Sequence, residues 1–490
     1  MRLLIVLALI APLFSRQSRA ANRPPNIVFI LIDDMGWKDV GCNGSKFYET
    51  PNIDALAGRG MRFTDAYAAC PVCSPTRASI LTGKYPARLN LTDWLPGRPD
   101  MNSQKLLRPK IVNHLPLDEN NLAKALKAVG YRTAIIGKWH LGGGKFLPEK
   151  QGFDVNIGGT AGGSPPGGYF NFKTPTMSAA NGDEYLTDRI TDEAEKFIDQ
   201  NKDGPFFLYL SHYAVHIPLQ SKQAMLAHYQ QKIRPDDPQN NPTYAAMVQS
   251  VDEGVGRVIA KLDALHLSDN TLIVFTSDNG GLSVKEGPKT PSTSNAPLRA
   301  GKGYLYEGGI REPLIVVYPG IKPGSTSDVP VISNDFYPTL LNLAGAHLQS
   351  GQIVDGVDLM PLLSGSGKID RGALYWHYPH YANQGGKPGG AIRAGNWKLI
   401  QFYEDMHVEL YNLADDVGES HDLAAKMPDK AAELTKKLGD WRKAVDARMP
   451  TPNPNFGKPA ARPGAAEKKN GAAIEDGPAK AALLSDWDRD

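Results

Sequence analysis

The run NIVFILI at residues 26–32, closed at once by Asp33-Asp34, decides the kind of fold this chain can adopt. It is β-rich and apolar without alternation, which is the pattern of a strand buried on both faces of a parallel sheet between layers of helices. Two adjacent carboxylates just past such a strand are costly to keep ionised without donors or a cation. They point to a metal site at the carboxyl edge of the sheet, where ligands of open α/β sheets gather. Taken alone, the pair reads equally well as a turn cap before Gly36.

Three helix-to-strand units downstream settle the choice. Helical periodicity over residues 121–129 leads into a strand at 133–136 and then Gly137-Lys138-Trp139-His140. Residues 190–199 lead into a strand at 206–210, then Ser211-His212 and His216-Ile217-Pro218. A long apolar stripe over 244–265 leads into 271–276, which ends at Ser277-Asp278-Asn279-Gly280. Alternation of this kind predicts an α/β fold with a large, mostly parallel sheet flanked by helices. Four strand ends then carry Asp-Asp, Lys-x-His, His and Asp-Asn. The oxygen donors Asp33, Asp34, Asp278 and Asn279 suit calcium or magnesium rather than zinc.

The next segment, residues 298–303 (LRAGKG), brings Lys302 between glycines that allow close backbone approach to a ligand, although a solvated loop lysine has the same pattern. A buried strand follows at 314–318 and a helix at 334–343. From about Arg371 the pieces shorten: 374–377, 391–393, 397–402 and 408–413 read as a small antiparallel sheet, with a helix over 428–445 packed on it. The expected organisation is a catalytic domain over 22–370, a C-terminal subdomain over 371–456, and a disordered tail over 457–490, rich in Ala, Lys, Pro and Gly.

Residues 1–20 combine Arg2, an apolar run over 3–14 and a small-residue end at Ala20, the pattern of a cleaved secretory signal. That run is too short to span a bilayer comfortably, so stable membrane insertion is not expected and the mature protein should be exported, secreted or periplasmic. With 54 basic and 52 acidic residues the net charge is +2, which offers no broad attraction for nucleic acid. Any anion must be held by local groups. Three cysteines, Cys42, Cys70 and Cys73, are too few for a disulfide framework; Cys42 and Cys70 remain as one conceivable pair.

Cys73-Ser74-Pro75-Thr76-Arg77 opens a stretch that runs on through Leu81-Thr82-Gly83-Lys84. Pro75 suits a first helical turn, so Cys73 should sit at a helix N-terminus, where free N–H groups and the dipole favour an anion. Arg77 lies one turn along. A lone cysteine is otherwise a small buried hydrophobe.

These motifs together resemble the type I sulfatases of the alkaline-phosphatase-like superfamily over residues 26–423. The signature Cys-x-Pro-x-Arg with Leu-Thr-Gly, the Asp-Asp pair, Gly-Lys-Trp-His, His before x-Pro, Asp-Asn-Gly and Gly-Lys-Gly occur in the family's order. Residues 409–413 (ELYNL), with Gly418-Glu419 and Leu423, look like the family's C-terminal segment. Lys84 departs from the more usual arginine, and the family's sulfate-binding Ser or Thr is not placed among Thr160 and Ser164.

The resemblance implies that Cys73 is oxidised to formylglycine by a maturation enzyme and hydrated to a diol. One calcium ion would be held by Asp33, Asp34, Asp278, Asn279 and residue 73. Lys138, Lys302 and Arg77 would stabilise charge on the sulfuryl group, His216 with Lys302 would protonate the leaving alcohol, and His140 would take the proton that expels sulfate. The implied substrates are sulfate esters, of carbohydrates or aryl alcohols. A phosphodiesterase or phosphonate monoester hydrolase on the same scaffold is the rival enzyme reading, and a non-catalytic sulfated-glycan binder the other. His212, His377 and His380 have no assigned role and read first as solvated or structural, with a place at the pocket mouth as the alternative for His377 and His380. The loop at 93–109 and the glycines of 158–168 are expected to shape the pocket.

Overall fold

A computed structural model describes residues 23–459. The leader at 1–20 and the tail beyond residue 459 lie outside the described residues. Asn26–Ile32 forms the strand expected of it and is wholly buried. It pairs in parallel with Phe206–Ser211 on one side and Thr271–Ser277 on the other, with Ile30 opposite both Leu210 and Phe275.

Among the described residues the sheet has nine strands. Its order is Val331–Ile332, Met61–Tyr67, Arg311–Val317, Thr271–Ser277, Asn26–Ile32, Phe206–Ser211, Arg132–Gly137 and Val155–Ile157, with Ser325–Ser327 beside Met61–Tyr67. Only Arg311–Val317 runs antiparallel to its neighbours. Strands 26–32, 132–137, 206–211 and 271–277 therefore all point their carboxyl ends the same way, and the polar residues after each meet at one edge.

Side-chain alternation sends the sheet's apolar residues into two cores. Val28, Ile30 and Ile32 pack against Leu186–Gln200 and Pro242–Ala264 on one face. Ile27, Phe29 and Leu31 pack against Cys73–Thr82, Leu122–Ala128 and Phe336–Ala344 on the other. Burial on both faces is why these strands lack alternation.

The C-terminal part is a four-stranded antiparallel sheet, Leu374–Tyr378, Gly389–Ala394, Trp397–Phe402 and Val408–Asn412, covered by Pro428–Ala444. Lys398 of this sheet reaches Glu307 of the larger part, Nζ to Oε1, at 2.9 Å, and Glu419 at 2.8 Å, all with no exposed side-chain surface. Residues 457–459, expected in the tail, are tied to Asn102, which accepts from the Gly457 amide and donates to the carbonyls of Lys458 and Pro459. Cys42, Cys70 and Cys73 are free thiols, so the conceivable Cys42–Cys70 bridge is not formed.

Candidate active site

The helix Cys73–Thr82 is buried at all ten positions, as no amphipathic helix would be, and begins at the carboxyl edge of the sheet. Val72, in extended conformation, precedes it without a side-chain cap, so its first N–H groups stay available to a ligand. Gly83 ends it with φ +70°; a Cβ there would stand 2.9 Å from the Tyr337 Cβ, so glycine is required twice over. Pro75 falls in the first turn, where its missing N–H leaves no bond unmade.

Around Cys73 the residues named by the sequence converge. Its Sγ lies 3.6 Å from Asp33 Oδ1. Lys138 Nζ donates to Asp33 Oδ2 at 2.6 Å, and Lys302 Nζ to Asp34 Oδ2 at 2.8 Å. His216 Nε2 stands 3.7 Å from the same Asp34 oxygen, and its Nδ1 faces the Ile217 carbonyl at 2.7 Å. Asn279 Nδ2 donates to Asp34 Oδ1 at 2.7 Å. Asp34 and His140 both hold positive φ, 62° and 57°, the left-handed backbone that places a side chain sharply after a strand at some cost in strain.

Arg77 is not free to turn toward a ligand. It is wholly buried, with Nε and Nη2 on Asp278 Oδ2 at 2.8 and 2.7 Å and Nη1 on Ser211 Oγ at 2.6 Å. Asp278 Oδ1 accepts from the Asp34 amide at 3.2 Å. The arginine thus fixes the carboxylate and, through it, the turn that carries Asp34.

Burial pushes the Asp33 carboxyl up to about 7, with Lys138 opposing and Asp278 and Asp34 adding to the rise. Asp34 is equally buried, yet Lys302, His216 and Lys138 outweigh that and hold it well below the ordinary carboxylate range. Burial raises the Cys73 thiol far above its ordinary value despite both lysines, so the unmodified side chain is not a thiolate nucleophile at neutral pH. Burial, helped by Lys302, lowers His216 to about 3. His140 is driven well below its ordinary range by burial and then Lys138. Its Nε2 meets the Leu95 carbonyl at 2.7 Å, and its Nδ1 is buried without a partner.

The residues fit a hard cation. One ligand atom each from Asp33, Asp34, Cys73 and His216 lie within 4.8 Å of one another. Asn279 Oδ1 is buried with no hydrogen bond, an orphaned acceptor that a cation beside the two aspartates would satisfy.

Cys73, His140, His216 and Lys302 line a cavity of about 430 Å³. Trp94, Leu95 and Pro96 make one wall and Ala161–Ser164 another, both from loops expected to shape the pocket. Gly163 presses on the His140 ring, where a Cβ would come within 2.5 Å of Cε1. Glu286, Asn383 and Gln384 complete the rim, unseen in the sequence because loop positions carry no periodicity. A larger cleft of about 890 Å³ at Lys38, Lys46 and Arg234 contains none of the site residues. His377 and His380 do not line the pocket: His377 is held between Tyr403 Oη and the Arg448 carbonyl, and His380 Nε2 meets Thr92 Oγ1. Each sits in the packed interior, with both ring nitrogens of His377 and Nε2 of His380 used structurally. His212 is buried against the sheet, lowered to about 4 by desolvation, and also away from the cavity lining.

Comparison with known proteins identifies the family. The sulfatase family model matches residues 25–346, and that for the N-sulphoglucosamine sulphohydrolase C-terminal region matches 300–444. A sulfatase of Formosa agariphila is 33% identical, covering 88% of this chain and 92% of its own. The N-acetylgalactosamine-6-sulfatase of Mus musculus is 34% identical over 76% of this chain and 72% of its own. The crystal structure of Ps i-CgsB in complex with k-i-k-neocarrahexaose superposes with a TM-score of 0.73 at 33% identity, covering 87% of this chain and 94% of that one. Among the described residues no helix is long and apolar enough to cross a membrane. With its strand-end acids, lysines and histidines gathered around Cys73 and a family match across most of its length, the chain belongs to the sulfatases, sulfuric ester hydrolases of the alkaline-phosphatase-like fold.

Proposed function

We propose that this sulfatase is an exported, calcium-dependent carbohydrate sulfatase that uses formylglycine made from Cys73 by a separate maturation enzyme. The observation that carries the reading is the seat of Cys73: an uncapped helix N-terminus, 3.6 Å from Asp33, at the floor of a cavity that also exposes Lys302, His140 and His216. A raised, buried thiol there makes a poor nucleophile, and conversion to an aldehyde hydrate removes that obstacle. Formylglycine and the ion together would supply an activated oxygen nucleophile and offset charge on the sulfate oxygens.

The chain's own groups divide the remaining work. Asp33, Asp34, Asp278 and Asn279, with residue 73, form the proposed cation cradle, held in place by Lys138, Lys302 and Arg77. The same lysines, fixed before substrate arrives, suit stabilisation of sulfuryl charge in a dry site. His216 presents Nε2 beside Lys302-bound Asp34, so a proton for the leaving alcohol can come from this pair. His140, if its Nε2–H donates to the Leu95 carbonyl, keeps a bare Nδ1 that can accept a proton.

Relatives named for sulfated sugars, and a neighbour bound to a neocarrahexaose, support carbohydrate esters as the substrate class. The decisive experiment is the intact mass of the peptide bearing residue 73, combined with turnover of an aryl sulfate and an aryl phosphodiester. Aldehyde at residue 73 with preference for the sulfate is the expected result. An unmodified, fully active Cys73, or preference for the phosphodiester, overturns the reading.

A further inference from the structure

His140 meets the Leu95 carbonyl through Nε2 at 2.7 Å. A carbonyl can only accept, so this bond puts the ring hydrogen on Nε2 and leaves Nδ1 bare. Leu95 is tied to His140 a second time. Its amide donates to Ser74 Oγ at 3.1 Å, and that hydroxyl donates to the His140 carbonyl at 2.9 Å. Whatever fixes Leu95 therefore fixes the ring.

The chain just before Leu95 is gripped from the C-terminal sheet. Tyr378, the last residue of Leu374–Tyr378, donates Oη to Asp93 Oδ1 at 3.2 Å, and the same oxygen accepts from the Trp94 amide at 2.9 Å. His380 has Nε2 on Thr92 Oγ1 at 2.8 Å and Nδ1 3.7 Å from Asp93 Oδ2. Past the pocket wall, Arg98 Nη1 donates to the Ala382 carbonyl at 3.0 Å. Thr92, Asp93, Tyr378 and His380 are all buried. Asp93, Arg108 and His380 also line an interior cavity of about 10 Å³, room for a water and nothing larger, so the cluster serves the loop and not a substrate. Gly97, at φ +85°, lets the loop close there: a Cβ would stand 2.7 Å from Arg108 Nη1 and 3.0 Å from Asp93 Oδ2. A buried carboxyl is costly wherever it stands. Here its bonds fix the backbone two residues before the carbonyl that meets His140.

From this chain of contacts we infer that Asp93 is a positioning residue for sulfate release: held by Tyr378 and His380, it sets the Leu95 carbonyl that orients His140 and keeps Nδ1 free of hydrogen. The C-terminal sheet thereby takes part in the chemistry without touching substrate. The inference rests on the proposed reading of His140 as the group that takes the proton in sulfate release.

The test uses matured enzyme and an aryl sulfate, whose leaving group needs little protonation, so that turnover weights sulfate release. Asp93→Ala should lower kcat about 10- to 100-fold. Its kcat/KM, which reports the steps up to ester cleavage, should change by less than about 2-fold. Intact mass after brief exposure to substrate should show sulfate retained on residue 73. Tyr378→Phe, which removes one hydroxyl and keeps the ring, should give the same pattern at about 2- to 10-fold. Asp93→Asn, which keeps an acceptor for Trp94 and Tyr378, should recover most of the rate lost in Asp93→Ala. Added to His140→Ala, Asp93→Ala should cost nothing further, because both act through one ring. Wild-type kcat in both Asp93→Ala and Tyr378→Phe, a kcat/KM that falls with kcat, or losses that add to those of His140→Ala would overturn the inference and leave His140 its role. If Asp93→Ala does not fold, Tyr378→Phe alone decides. Full turnover by His140→Ala would instead reject that residue as the base, and the positioning role with it.

Discussion

Asn279 gives its Nδ2 hydrogen to Asp34 at 2.7 Å and so turns its own Oδ1 into a buried, unpartnered acceptor. Such an atom costs about 1–3 kcal/mol if nothing meets it. With Asp33 and Asp34 beside it, the calcium ion proposed above would give all three a partner.

The first prediction comes from that atom. Calcium added to chelated enzyme should raise the melting temperature, since a ligand at 100 times its Kd adds about 2.7 kcal/mol. Asn279→Ala removes both the orphan and a donor to the ion. Its chelated form should melt near wild type while its response to calcium is largely lost. A chelated Asn279→Ala that melts far lower, with its calcium response intact, would make Asn279 a structural residue only.

Much of this site is legible in the sequence because buried parallel strands announce themselves as unbroken apolar runs, and the residues just past each run must lie at one edge of the sheet. Asp33, Lys138, His216 and Asp278 are placed by that rule alone. The partnership of each is not. Arg77 at one turn from Cys73 reads as a ligand-facing cation, but tertiary packing buries it on Asp278, over 200 residues away in the chain. Met61–Tyr67 gives no strand signal either, because its half-buried positions and the register shift between Phe63 and Ala66 break any simple period. The aromatic stretch holding His377 and His380 admits a place at the pocket lip beside the structural role that the sequence favours. Its side chains fill the contact between the two sheets.

A second prediction concerns the seam between those sheets. Lys398 is buried with Glu307 and Glu419, and Glu307 also meets Arg311 Nε at 2.6 Å. Removing one member of a buried ionic cluster strands the others without compensation. Lys398→Met should lower stability by about 3–5 kcal/mol by denaturant unfolding. A loss below about 1 kcal/mol would mean that the two parts are joined mainly by apolar packing.

The third concerns pH. Asp93 precedes Trp94 and is wholly buried, and desolvation raises its carboxyl to about 7, against the opposing bonds from the Trp94 amide and Tyr378 Oη. His380 Nδ1, 3.7 Å away, belongs to a ring that burial keeps neutral. A carboxyl whose folded pKa exceeds its unfolded value contributes stability that is full below about 4 and lost as pH rises through 7. Its ionisation should therefore cost about 4 kcal/mol by pH 8. Asp93→Asn, neutral at every pH, should match wild type near pH 4 and be the more stable of the two at pH 8. Parallel stability curves for the two proteins across that range would show that Asp93 is ionised in the native state.

The last prediction separates the two histidines, which share strongly lowered basicity but differ in what their nitrogens face. His216 has Nδ1 on the Ile217 carbonyl and Nε2 beside Asp34 Oδ2, the same oxygen that accepts from Lys302. Set there, it can pass a proton to a departing alcohol once substrate charge enters the cavity. His216→Ala should slow the first half of the reaction by about 10²- to 10⁴-fold, and less for aryl sulfates whose leaving groups need little protonation. His140 has Nε2 on the Leu95 carbonyl, a buried bare Nδ1, and Gly163 packed on its ring, an arrangement for accepting a proton in a fixed direction. His140→Ala should still cleave the ester but fail to release sulfate. Brief exposure to excess substrate, then intact mass spectrometry of the peptide bearing residue 73, should show a retained sulfate on His140→Ala and little on His216→Ala. Retention on His216→Ala alone would reverse the two assignments, and full turnover by His140→Ala would remove that residue from the chemistry.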